Sequence, residues 1–237
     1  MIIKNIAKRV LMIRIGIDEG TAFTLENNSC QYIITAKHLF EKVGYSKDFI
    51  VELNDGGDTW TAHHAKIYYH DLDVDVAVIM LKDGNDITKK YDVTICEEGV
   101  DFGTDLYFLG FPFGYRMGFL DGINERPIPL LKKGILSGEI IEEGKRVHFI
   151  DGHNNPGFSG GPVYYLKGTE VYIMGVVSGY RDHLSVLYEA IIEPKLGQVQ
   201  FQELLRYYVK ENSGIVRFFN IYYVTEIFEK INNLPRL

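Results

Sequence analysis

An all-β sandwich or barrel is predicted for most of this chain by two observations. Short runs rich in Val, Ile, Tyr and Phe recur every 8–15 residues or so, bounded by Gly, Asp, Asn or Pro, and few long helical patterns lie between them. The runs fall at 10–15, 22–25, 31–35, 49–53, 75–80, 106–109, 134–137, 148–150, 163–165 and 171–177. The charged, glycine-containing stretch 97–104 near the midpoint divides them into two comparable sets. The end of the chain reads differently. Phe201, Leu204, Leu205, Tyr208 and Val209 recur at helical spacing and are followed by Asn212-Ser213-Gly214, which predicts a helix there. A strand at 215–219 and an amphipathic helix at 222–233 complete the chain.

Composition sets the broad class. The 237 residues are 46% hydrophobic and 24% charged, enough to bury a sizeable core without a disulfide or metal staple. A formal charge of -7 makes nucleic acid a poor partner. Cys30 and Cys96 do not make a disulfide framework and read as two buried thiols. The first residues, broken by Lys4, Lys8, Arg9 and Arg14, carry no signal-peptide pattern, and no run of about 20 apolar residues occurs. The expectation is a soluble, cytoplasmic chain without a membrane partner.

Chemistry concentrates in Asn155-Pro156-Gly157-Phe158-Ser159-Gly160-Gly161-Pro162. Glycines around a serine let the backbone turn tightly and let its amides converge on one point, which suits a nucleophile beside an oxyanion hole. An incidental serine in a glycine-rich hairpin has the same local pattern. A serine hydroxyl needs a base, and the base an orienting acid. Thr35-Ala36-Lys37-His38 puts a histidine at the exit of an apolar strand, and Asp71, Asp73 and Asp75 approach another, with Asp75 at its apolar boundary. The same acidic run fails as a calcium loop, because Val76 and Lys82 stand where glycine and glutamate are needed. His63, His64 and His70 lack further ligands at zinc spacing, and no phosphate-binding glycine motif is present, so no metal or cofactor is expected.

The order His38, Asp75, Ser159, with gaps of 37 and 84 residues, resembles the trypsin-like (chymotrypsin-fold) serine proteases, most closely the bacterial HtrA-type branch without its PDZ domain. Thr35–His38 is similar to that family's T-A-x-H motif and Asp75-Val76-Ala77 to its D-[LV]-A. The segments 103–114, 134–137, 155–162, 175–178 and 214–231 resemble its further motifs in the family's order. The resemblance implies two six-stranded antiparallel β-barrels, at 1–98 and 99–237, with a helical insertion at 181–213 and a terminal helix. It implies a serine endopeptidase acting on polypeptides through an acyl-enzyme, with His38 as base, Asp75 fixing its tautomer, and the Gly157 and Ser159 amides as oxyanion hole. Ser178 would brace Asp75 and present its carbonyl to substrate.

The substrate pocket implied by the resemblance involves His153, Tyr180 and Gly214, with Val177 just before Ser178. His153 stands where tryptic enzymes carry an acid, so an uncharged side chain is expected before the scissile bond. Phe158 replaces the Asp that pairs with a freed N-terminus in secreted members, so activity would be intrinsic or set by conformation or a protein partner. The competing readings are a catalytically silent peptide-binding module on the same fold and an esterase-like hydrolase. The insertion 181–213 is read either as a lid or docking element at the cleft or as packing on the back of the second barrel.

Overall fold

The computed structural model describes residues 2–56, 58–84, 87–96, 100–117, 127–192 and 203–234, with side chains described outside 2–4, 55 and 180–211. After a short helix, α1 (Ile2–Ala7), six strands form the first barrel: β1 (Val10–Ile15), β2 (Asp18–Asn27), β3 (Cys30–Thr35), β4 (Asp48–Gly56), β5 (Thr59–Tyr69) and β6 (Ala77–Leu81). They close in the order β1-β2-β3-β6-β5-β4, with the ring completed by Ile13 opposite Leu53. The run Val10-Leu11-Met12-Ile13 is continuously apolar because both faces of β1 are covered. Leu11, Ile13 and Ile15 fill the barrel, while Val10 and Met12 join a second cluster shared with the other barrel.

The second barrel uses β8 (Asp105–Gly110), β9 (Leu130–Glu142), β10 (Lys145–Asp151), β11 (Pro162–Lys167), β12 (Glu170–Ile192) and β13 (Glu203–Asn220). The order is β11-β8-β9-β10-β13-β12, and pairing of β11 with β12 closes it. A two-residue strand, β7 (Thr94–Ile95), adds in parallel to β12. Helix α2 (Tyr222–Asn232) follows β13 and buries Tyr223, Val224, Ile227 and Phe228 in the shared cluster. Each such side chain contributes about 1.5–3 kcal/mol. Two antiparallel six-stranded barrels with few helices make this a chymotrypsin-like fold.

Helix α2 also steadies the connection from β5 to β6, which carries Asp75. His70 bonds Glu226 at 2.7 Å, and Lys230 pairs with Asp71 at 2.6 Å. The Leu72 amide donates to His70 Nδ1, which leaves Nε2–H to donate to Glu226.

Two expectations are corrected. The helix expected from Leu204 to Val209 is strand: β13 runs through it, paired with β12 as far as Ile192 opposite Glu203. Leu205, Tyr207 and Val209 also alternate at period two, and cross-strand pairing with 182–192 decides between the two periods. Phe201 lies outside the described residues. The thiols are not buried: Cys30 is exposed at the start of β3, and Cys96 is half-buried against the Tyr165 hydroxyl. Strand β5 did not stand out in the sequence because its first half, through His64, faces solvent and carries polar residues.

Candidate active site

His38 enters through Thr35-Ala36, where β3 ends in extended backbone at Ala36 and a 3-10 turn, Lys37–Val43, begins. Its backbone N–H donates to Asp75 Oδ1 at 2.7 Å, and its Nδ1 lies 2.7 Å from Asp75 Oδ2. Asp75 is placed by its neighbours: Val74 and Val76 are buried, and the amides of both make tight i to i−2 turns. The three carboxylates of the acidic run part company, Asp71 to Lys230, Asp73 to Lys37 and Asp75 to His38. Among the described residues no group of three His, Cys, Asp or Glu side chains could hold a metal ion.

Ser178 joins the two barrels at this point. Its hydroxyl donates to Asp75 Oδ2 at 2.6 Å, and its carbonyl accepts from Ser159 Oγ at 3.2 Å. Burial disfavours the charged form of Asp75, but the bonds and charge of His38, with the Ser178 hydroxyl, outweigh it and hold the carboxyl below its ordinary range. For His38, burial alone would lower the pKa, but the hydrogen bond and charge of Asp75 turn the shift upward. The imidazole is therefore oriented, with Nδ1 engaged and Nε2 free of hydrogen bonds among the described residues.

The loop carrying Ser159 is held from several sides. Gly157 has φ +104, and a Cβ there would stand 2.3 Å from the Phe111 carbonyl, so only glycine fits. Gly160, at φ +85, is similarly confined by the Thr21 carbonyl. The Pro156 carbonyl accepts from the Phe113 amide at 2.8 Å. In a trans peptide this points the Gly157 N–H to the opposite side. Neither that N–H nor that of Ser159 has a hydrogen-bond acceptor among the described residues. Two unspent amides beside Ser159 can accept a developing negative charge. Phe158 is fully buried, edge-on to Phe108 with ring centroids 5.2 Å apart, so apolar packing anchors the position just before Ser159.

The residues expected to form a substrate pocket divide. His153 is exposed, and its carbonyl takes a 2.6 Å bond from Lys132 Nζ, which also reaches Asn155 Oδ1. Gly214 has φ +74, and its carbonyl accepts from the Gly152 amide at 2.9 Å, which ties the segment before the serine loop to β13. The backbone of Tyr180 pairs with Val216. Val177 offers no exposed wall. Its side chain is fully buried in the second barrel, and its backbone bonds to Gly160 and Gly161 beneath the loop.

Thr21, Thr35, Phe113 and Lys132 went unrecognised in the sequence. The Thr21 hydroxyl donates to the Gly157 carbonyl at 2.6 Å, and Thr35 Oγ1 donates to the Thr21 carbonyl at 2.7 Å. Phe113 adopts φ 53, ψ 26, a left-handed conformation that is costly for a non-glycine residue. A bulky residue between Pro112 and Gly114 was the available signal.

Two barrels meeting at a histidine, an aspartate and a serine define a trypsin-like peptidase architecture. The trypsin-like peptidase domain family matches residues 20–183, more than half of the chain, and the chain belongs to that family. A comparison with curated protein sequences finds no match. Among solved structures the fold is similar to the active form of the Rv3671c protease from M. tuberculosis, at 17% identity over 100% of this chain and 86% of that one, with TM-score 0.62. An inactive-form mutant of Rv3671c from M. tuberculosis H37Rv covers 100% of this chain and 92% of its own, at 17% identity and TM-score 0.60. An alanine variant of AlgW, an HtrA-type protease solved with a tripeptide, covers 98% of this chain and 62% of its own, at 17% identity and TM-score 0.61.

Proposed function

We propose that this protein is a serine endopeptidase that cleaves polypeptides through an acyl-enzyme on Ser159. The observation that carries the reading is the double contact of Ser178, which touches Asp75 on one side and Ser159 on the other. It brings the histidine–aspartate pair of one barrel against the serine of the other.

In this reading Ser159 Oγ attacks the scissile carbonyl carbon as its proton passes to His38 Nε2. Asp75 accepts the Nδ1–H bond throughout, fixing the tautomer and stabilising the imidazolium. The Gly157 and Ser159 amides receive the oxyanion, each worth about 3–4 kcal/mol of transition-state stabilisation. His38 then protonates the leaving amine, and a water, deprotonated by the same imidazole, hydrolyses the acyl-enzyme. In the resting state Ser159 Oγ points to the Ser178 carbonyl and not to His38, so rotation of the serine side chain precedes attack. Substrate or a protein partner that favours this rotation would regulate the enzyme.

That resting orientation is also what favours the second reading, a silent peptide-binding module. A fluorophosphonate probe separates the two. Labelling of the wild type that disappears in Ser159→Ala supports the hydrolase. A wild type that stays unlabelled, with and without peptide, contradicts it. No described helix is long and apolar enough to cross a membrane, and action on cytoplasmic polypeptides is part of this proposal.

A further inference from the structure

The loop from His153 to Ser159 is held by different means along its length. From Pro156 onward, backbone and threonine donors take its carbonyls. The Phe113 amide bonds the Pro156 carbonyl, the Thr21 hydroxyl the Gly157 carbonyl, and the Thr21 amide the Ser159 carbonyl. Before Pro156 the loop is held by a charge. Lys132 of β9 donates from Nζ to the His153 carbonyl at 2.6 Å and to Asn155 Oδ1 at 2.7 Å. The same ammonium lies 5.3 Å from the centre of the Phe158 ring.

The strand pairing explains how one lysine reaches all three residues. Lys132 stands directly opposite Phe108 of β8, and opposed residues of an antiparallel pair put their side chains on the same face. Phe108 meets the Phe158 ring edge-on, and Lys132 covers that ring as a cation–π partner. The Phe158 amide donates to the Asn155 carbonyl at 3.3 Å, closing a turn whose middle carries the Gly157 N–H. One ammonium thus touches both ends of that turn, the Asn155 side chain and the Phe158 ring.

The charge has no counter-ion. Lys133 beside it turns to the opposite face and pairs with Asp105 at 2.7 Å, but no described carboxylate pairs with Lys132. The residues that Lys132 touches carry one other titratable side chain, that of His153, which is exposed. Burial holds the lysine pKa below its ordinary value, so its charged form does not favour folding. Stability therefore does not account for a cation at this place.

We propose that Lys132 is a positioning residue of the candidate active site: its ammonium clamps Asn155 and Phe158 and so fixes the aim of the Gly157 and Ser159 amides. With Phe158 before the nucleophile, no carboxylate is available there for an ion pair, and the lysine orders the loop from outside it. The inference rests on the proposed serine hydrolase and names the group that keeps its oxyanion donors in place. Activity then requires the charged form of Lys132.

The test measures the rate of fluorophosphonate labelling and the kinetics of peptide hydrolysis in the full-length protein. Lys132→Met keeps an unbranched stem and removes the charge. Labelling and kcat should fall about 10–100-fold while KM changes by less than about threefold. Urea unfolding of this variant should come no earlier than that of the wild type. Wild-type labelling should fall on an alkaline limb with its midpoint below the ordinary lysine value of 10.5, and Lys132→Met should lack that limb. Asn155→Asp sets a carboxylate beside Nζ, which should move the limb to higher pH. This arm keeps the lysine, so it decides the question even if Lys132→Met does not fold. Unchanged labelling in a folded Lys132→Met, a loss confined to KM, or an alkaline limb indifferent to Asn155→Asp would overturn the positioning role. A wild type that is not labelled at any pH would instead overturn the hydrolase reading.

Discussion

Thr21, on the first barrel, holds Gly157, on the second. Its hydroxyl donates to the Gly157 carbonyl at 2.6 Å and accepts from the Phe111 amide at 3.1 Å. Its own amide donates to the Ser159 carbonyl at 2.9 Å. One side chain and its backbone thus fix both carbonyls that flank Phe158, and with them the aim of the neighbouring amides.

Thr21→Val keeps the shape and removes the hydroxyl, which leaves the Phe111 amide and the Gly157 carbonyl unsatisfied. The expected loss of stability is about 1–3 kcal/mol by urea unfolding. Displacing the oxyanion donors should lower kcat by about 10–100-fold while KM changes little. A stability loss with unchanged kcat would show that Thr21 braces the fold and not the site.

The roles assigned to His38, Asp75 and Ser159 separate in their variants. Ser159→Ala and His38→Ala should abolish hydrolysis. Asp75→Asn keeps the geometry but presents the wrong hydrogen-bonding partner to Nδ1, so kcat should fall about 10⁴-fold. Near-wild-type turnover in Asp75→Asn would move the role to another acid, with Asp73 next in line.

Much of this site was legible because its chemistry needs rare residues at turns that only glycine can make. The stretch from Gly157 to Gly161 and the strand-exit His38 announced themselves, and hydrogen bonds through Asp75 and Ser178 connect His38 with Ser159. Asp75 stood apart from Asp71 and Asp73 only by its apolar neighbours, and burial of Val74 and Val76 is what sets it apart in the fold. Thr21 and Thr35 were invisible because a threonine in a β-rich run is ordinary, and the bond from Thr21 to Gly157 joins segments 136 residues apart. The ribbon of β12 and β13 was misread for the same reason. Its period was ambiguous within each strand, and the partner strand that resolves it lies across a long connection.

Phe158 occupies the position before the nucleophile with no exposed surface, wedged against Phe108 and beneath Lys132. Phe158→Ala should cost about 3–5 kcal/mol through lost burial and the cavity left behind. Because the neighbouring backbone is anchored through this ring, fluorophosphonate labelling should slow in protein that remains folded. Labelling at the wild-type rate would mean that the hydrogen bonds from Thr21 and Phe113 hold the loop without the ring.

Activity should depend on the neutral form of His38. Asp75 raises the pKa of His38 in the folded protein above the ordinary 6.5, so kcat/KM should rise with pH through a midpoint higher than that value. Burial alone would lower it, so in Asp75→Asn the midpoint of the residual activity should move downward. The raised pKa also means that charged His38 favours the folded state. That contribution is complete below the unfolded histidine value and is lost as pH rises through the folded one. A flat rate profile from about pH 5 to 8 would contradict a histidine base.

His148 gives stability the opposite pH dependence. It sits on β10, only 2% exposed, stacked on Phe218 of β13 with ring centroids 5.0 Å apart. Glu139 of β9 approaches Nδ1 to 3.5 Å, yet neither ring nitrogen is hydrogen-bonded among the described residues. Burial lowers its pKa most; Glu139 opposes that shift and Arg146 reinforces it. The fold thus prefers the neutral ring, while the unfolded chain takes up a proton near the ordinary histidine value. Stability from this residue is complete above that value and falls as pH drops through it toward the depressed folded pKa. His148→Phe keeps the stack on Phe218 and removes the titration. In urea unfolding, the variant should gain on the wild type by more at about pH 5 than at pH 8. An equal difference at both values would show that His148 does not titrate against folding, and a variant relatively weaker at the lower pH would mean that the protonated ring is held by Glu139.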